Sequence, residues 1–147
     1  MNLELPNKKI KSTRINPKTM VIFSQPKMGK TTVVAELENC LILDLENGTE
    51  FVDALKIDVI NEAKNSGKLP IVVLKTIMNQ IAVKNKEVNG YFYKFIAIDT
   101  VSALENIVLP LAAKMYRETP KSNGLYIRNY IKKFFELLEY PTYFLYI

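Results

Sequence analysis

Gly29, Lys30 and Thr31 in direct succession combine a permissive backbone, a mobile cation and a hydroxyl. They close the stretch Ser24-Gln25-Pro26-Lys27-Met28-Gly29-Lys30-Thr31-Thr32, which follows the apolar run Val21-Ile22-Phe23. The spacing fits the phosphate-loop template G-x-x-x-x-G-K-[ST] at every fixed position but the first, where Ser24 stands for glycine. Such a stretch can surround the β- and γ-phosphates of a nucleotide. Backbone N–H groups of a concave loop face the dense negative charge, and the following helix start adds its positive end. Gly29 lets the main chain approach without a Cβ. Lys30 supplies a point charge, and the Thr31 hydroxyl can ligate Mg²⁺. Pro26 restricts φ and stiffens the loop. A Cβ at Ser24 is expected to strain the turn and weaken nucleotide affinity.

Two acids stand where they could complete such a site. Asp99 ends the hydrophobic run Phe95-Ile96-Ala97-Ile98, the place of a Walker B aspartate, and could hold Mg²⁺ opposite Thr31. The competing reading of Asp99 is a strand-end cap on the next helix. The position directly after it, where many P-loop ATPases carry a catalytic glutamate, is Thr100. The base must then come from elsewhere. Glu46, in Asp44-Leu45-Glu46-Asn47-Gly48-Thr49-Glu50, can orient a water for attack on the γ-phosphate, with Asp44 the weaker candidate. A solvated turn acid is the bland alternative for Glu46.

These residues need elements to hold them. Gly-Lys-Thr alone recurs by chance, so the strand–loop–helix context carries the reading. Val21-Ile22-Phe23 predicts a fully buried parallel strand. Val33, Val34 and Leu37 predict one face of a helix reaching about Asn39. Cys40–Asp44 predicts a second strand, and Leu55, Ile57 and Val59 a short edge strand. The stretch 61–70 reads as loop. Ile71, Leu74, Ile77, Met78 and Ile81 predict a helix, and Asn89-Gly90 a turn. After the Phe95–Asp99 strand, Thr100 or Ser102 can cap a helix carrying Ala103, Leu104, Ile107, Val108 and Leu111, kinked at Pro110. Residues 117–124 read as a basic loop, Ile127, Ile131, Phe134, Phe135 and Leu138 as a helical core stripe, and 142–147 as a last strand. Alternating strands and helices predict a mostly parallel sheet with helices on both faces, and ligands at the carboxyl ends of the strands.

The chain of 147 residues is 48% apolar, enough for one folded domain. It has no histidine and one cysteine, Cys40, which excludes a Ser-His-Asp triad, a Cys-His pair, an internal disulfide and a histidine- or cysteine-based zinc site. A single cysteine fits a reducing compartment. No signal peptide or bilayer-spanning run is present, so a soluble cytoplasmic protein without a membrane partner is expected. Net charge is +5 and the isoelectric point about 9.2, which permits an anionic partner such as DNA. Residues 1–18 carry Lys8, Lys9, Lys11, Arg14 and Lys18 and read as a basic arm before a domain spanning 19–147.

The stretches Ser24–Thr32, Leu43–Glu50 and Ile96–Thr100 together resemble phage-encoded RecA-like P-loop ATPases. Those proteins are often described as AAA-domain or nucleotide-binding proteins, and some act in single-strand annealing and recombination. The resemblance runs from about Thr19 to Ile147. It implies a three-layer α/β/α P-loop NTPase core and Mg²⁺-dependent ATP hydrolysis coupled to phage DNA recombination or replication. It also implies single-stranded DNA as a partner, homo-oligomers and a place in the host cytoplasm. By resemblance Lys30 and Thr31 bind phosphate and Mg²⁺, Asp99 the Mg²⁺, and Glu46 activates water. Such cores insert a strand between those carrying the two Walker motifs. Here that strand is expected at 142–147, so the later strands and the polar sensor beyond it would be missing. Two alternatives remain: a nucleotide-binding module without turnover, and a P-loop nucleoside or nucleotide kinase. The kinase reading is weakened because only Arg14, Arg117 and Arg128 could furnish an arginine-rich lid.

Overall fold

The computed structural model describes residues 19–118 and 143–146. Chain order is β1 (Thr19–Val21), α1 (Lys30–Ala35), β2 (Cys40–Asp44), β3 (Leu55–Asp58), α2 (Val59–Ser66), α3 (Pro70–Glu87), β4 (Phe95–Asp99), α4 (Val101–Glu118) and β5 (Tyr143–Tyr146). The basic arm and the Ile127–Leu138 stripe lie outside the described residues.

All strand pairs are parallel, in the order β1-β5-β4-β2-β3. β5 therefore sits between β1 and β4, the insertion expected of the last strand. Side-chain alternation then decides which face each strand residue serves. Leu41, Leu43, Leu45, Ile96 and Ile98 pack under α3 and α4, joined by Val59 from α2. Cys40, Ile42 and Ala97 face the other way, against Val34 of α1. The result is a three-layer α/β fold. Continuing the same alternation by two residues puts Asp44 and Asp99 on the α1 face.

α3 begins with Pro70 at its first turn, where the missing N–H costs nothing. Its buried residues are Ile71, Leu74, Ile77, Met78 and Ile81, the predicted stripe. In α4, Ala103, Leu104 and Val108 are buried, with Ile107 and Leu111 half-buried against them. The Thr100 hydroxyl, not Ser102, accepts from the Ala103 N–H at 3.2 Å and caps this helix. α4 runs on through Pro110 to Glu118, so Arg117 belongs to the helix and not to a loop.

Four sequence expectations need correcting. The first strand is Thr19–Val21, not a buried Val21–Phe23. β1 is outermost among the described strands and pairs only with β5, leaving Val21 68% and Phe23 95% exposed. A short apolar run cannot by itself distinguish a central strand from an edge one. The helix after the phosphate loop stops at Ala35, and Asn39 adopts a left-handed φ of 57°. Leu37 thus lies beyond the helix, and Val33 points outward at 62% exposure. Finally, the supposed loop at 61–70 contains α2. Asp58 caps it by accepting from the Asn61 N–H at 2.7 Å, and Gly67 ends it at φ 63°.

Candidate active site

The loop from Ile22 to Gly29 crosses the carboxyl edge of the sheet and delivers the chain to α1. Gly29 takes φ 79° and ψ 20°, a left-handed conformation at the helix cap position. A Cβ added there would meet nothing within 4 Å, so this backbone needs glycine for its dihedrals and not for room. Ser24 is not among the residues with positive φ, so its Cβ brings no such strain, contrary to expectation. Its hydroxyl donates to the Gln25 carbonyl at 3.2 Å. The Lys30 ammonium folds back over the loop and donates to the carbonyls of Ser24 and Gln25, each at 3.2 Å. Gln25, Pro26, Lys27, Met28 and Thr32 are exposed around it.

β2 and β4 are neighbours with Asp44 opposite Asp99, and α1 lies over the same face. The first turn of α1 therefore brings Thr31 Oγ1 to Asp99 Oδ2, to which it donates at 2.7 Å. Asp99 is 6% exposed. Burial pushes its carboxyl above the ordinary value of 3.8. The Thr31 hydrogen bond and the Lys30 charge pull it back, but the charges of Asp44 and Glu46 add to the rise. A hydroxyl oxygen beside a carboxylate oxygen, in a neighbourhood with excess negative charge, suits a hard divalent cation. Among the described residues, no three acids, cysteines or histidines are grouped to hold a metal alone. Mg²⁺ fits here as an ion arriving with a polyphosphate that supplies its other ligands.

Asp44 is not an available base. It is 1% exposed and fully engaged in shaping the turn that follows it. Its Oδ1 accepts from the N–H groups of Glu46 (2.9 Å) and Gly48 (3.2 Å). Its Oδ2 accepts from the Thr49 N–H (2.9 Å) and hydroxyl (2.6 Å). Burial alone would raise the Asp44 pKa, but these bonds from Thr49, Glu46 and Gly48 win and hold it below 3.8. The sign for stability follows. A depressed carboxyl stabilises the fold above the ordinary carboxylate range, and that contribution is lost as pH falls through the folded value. Asp44→Ala would strand three N–H groups and a hydroxyl, and is expected to cost about 3 kcal/mol. Denaturant unfolding at neutral pH checks this. The loss should shrink at acid pH, and a variant as stable as the parent would show the turn does not depend on Asp44.

Glu46 sits at the exposed crest of that turn. The turn is tied to β4, since the Leu45 N–H donates to the Asp99 carbonyl at 2.7 Å. Thr100 Oγ1 donates to Glu46 Oε1 at 2.7 Å. Asn47, with φ 59°, can turn its amide nitrogen to Asp58 at 2.9 and 3.0 Å. Lys56 donates to the carbonyls of Thr49 and Val52, fastening the far side of the turn. Lys30, Thr31, Asp99 and Glu46 thus gather at the carboxyl edge of the sheet, where Asp99 bonds Thr31 and feels the charges of Lys30 and Glu46. Two grooves lie elsewhere. One of about 560 Å³ and one of about 340 Å³ share Ile57, Thr76, Ile77 and Gln80 along β3 and α3, and neither includes a residue of the phosphate loop.

A known family matches residues 16–139, and its description is AAA domain. The chain belongs to this AAA domain family. Neither curated proteins nor solved structures gave a match. An AAA domain carries the P-loop NTPase fold, and membership marks the chain as a nucleotide-binding domain of ATPase type. No helix among the described residues is long and apolar enough to cross a membrane.

Within this AAA domain, sequence reasoning missed what Thr49, Asn47 and Thr100 contribute beyond a helix cap. The run D-x-E-x-G-T carried the signal for Thr49, since a hydroxyl five residues after a strand-end acid can close an Asx-type turn. Nothing linear links Thr100 to Glu46. For Asp99, the expected result is a loss of nucleotide affinity tied to the metal. Asp99→Asn keeps the acceptor for Thr31 and removes the charge. Affinity should fall roughly 10- to 100-fold with Mg²⁺ and little in EDTA. Equal losses in both conditions would make Asp99 a structural residue only.

Proposed function

We propose that this AAA domain binds ATP with Mg²⁺ at the Ser24–Thr32 loop and hydrolyses it, with Glu46 as the general base. The observation that carries the reading is Asp99 at the carboxyl edge of the sheet, bonded to Thr31 and within reach of the Lys30 and Glu46 charges. The α1 start offers orphan N–H groups to phosphate oxygens. Lys30 leaves the carbonyls of Ser24 and Gln25 and turns its ammonium to the β- and γ-phosphates. Thr31 and Asp99 would hold the Mg²⁺, which when bound neutralises charge on the phosphates. Glu46 accepts a proton from water as the water oxygen bonds to the γ-phosphorus. The bond from that phosphorus to the bridging oxygen breaks, and ADP leaves with the electron pair.

We further propose that hydrolysis serves DNA recombination or replication, as in the phage-encoded proteins the sequence resembles. The net charge of +5 supports an anionic polymer as partner. Steady-state phosphate release with and without single-stranded DNA tests both parts. Stimulation by DNA supports the coupling. Turnover unchanged by DNA removes the polymer but keeps the enzyme. Tight ATP binding without turnover would favour a nucleotide-gated binding module.

A further inference from the structure

We infer that Thr100 is the positioning residue for the Glu46 carboxylate in ATP hydrolysis, an inference that rests on reading Glu46 as the base. Glu46 lies on an exposed turn, and a free glutamate side chain there would sample many rotamers. Three contacts hold the residue, two on the backbone and one on the carboxylate. The Glu46 N–H donates to Asp44 Oδ1, and the preceding Leu45 N–H donates to the Asp99 carbonyl, so the backbone is held from both strands. Among the described residues, the carboxylate itself is held by Thr100 alone, 54 positions away in the chain.

The geometry at Thr100 fixes the direction of that hold. A hydroxyl has one proton to give. Its oxygen already accepts from the Ala103 N–H at 3.2 Å, and the proton is left for Glu46 Oε1 at 2.7 Å. The start of α4 thereby orients a donor toward the neighbouring strand's glutamate. Glu46 Oε2 has no hydrogen-bond partner among the described residues and is the oxygen left to take a water proton. Thr100 touches neither substrate nor water in this scheme and acts through Glu46.

Single-turnover hydrolysis of Mg²⁺–ATP tests the inference in the parent, Thr100→Val, Thr100→Ser, Glu46→Gln and the double variant Glu46→Gln/Thr100→Val. Valine keeps the shape and removes the hydroxyl. The rate for Thr100→Val should fall roughly 10- to 100-fold, as for a misplaced catalytic group, with ATP affinity held within about two-fold. Thr100→Ser should restore most of the rate. In the Glu46→Gln background, the valine should change the rate by less than about two-fold, because residues acting as one unit are not additive. Loss of the α4 cap is common to both backgrounds and cannot mimic that pattern. Circular dichroism confirms folding, and Thr100→Ala replaces the valine if that variant does not fold. A parental or faster rate for Thr100→Val would overturn the inference, as would an equal further loss in the Glu46→Gln background. A parent that binds ATP and never hydrolyses it would overturn the base assignment first, and the role of Thr100 with it.

Discussion

Glu46→Gln is expected to leave ATP affinity within a few-fold and to lower turnover by roughly 10²–10⁴, the range for a positioned general base. The substitution keeps the size of the side chain and an oxygen that can accept from the Thr100 hydroxyl. It removes only the ability to take a proton. The effect therefore falls on the chemical step and not on binding. The alternative carboxylate, Asp44, cannot take over, because both its oxygens are occupied by Glu46, Gly48 and Thr49 and it is buried. Asp99 cannot take over without giving up the Thr31 contact. Measured with phosphate release at saturating ATP, an unchanged rate would remove Glu46 from the chemistry.

Lys30→Ala should have the largest effect on binding. In the nucleotide-free arrangement the ammonium is satisfied by two loop carbonyls at 3.2 Å, both accessible to solvent or partly so. Those bonds are readily exchanged for stronger ones to phosphate oxygens, since a hydrogen bond with a charged partner contributes about 1.5–3 kcal/mol. Losing the lysine should weaken ATP binding by about 100-fold or more, given that 1.4 kcal/mol is ten-fold. Thermal stability should change little, because one of the bonds lost within the apo loop is exposed and the other only part-buried. Titration of a fluorescent ATP analogue reads the first effect and the unfolding midpoint the second. Undiminished affinity in the variant would move the phosphate site away from this loop.

Much of the site could be read from the chain because its parts are local. Asp99 ends an apolar run, Thr31 begins a helix, and strand alternation places the acid on the face that α1 covers, where the two meet. What could not be read depends on backbone curling or on strand rank. Asp44 looks like a spare catalytic acid until residues 45–49 fold back and saturate it. Val21 and Phe23 look buried because a short apolar run does not show that β1 lies outermost among the described strands. α2 was legible in its ends more than its middle. Asp58 and Gly67 are good cap residues, but Val59 and Ala63 make too thin an apolar stripe to outweigh the polar residues between them. The Glu46–Thr100 bond joins two turns whose proximity follows only from the sheet order.

Phosphate release from ATP by the parent chain under multiple-turnover conditions, in Mg²⁺ and then in EDTA, tests most directly whether these residues form an ATPase site. The expected result is release of many phosphates per chain in Mg²⁺ and almost none in EDTA. ATP that binds with Mg²⁺ and is recovered intact would contradict it.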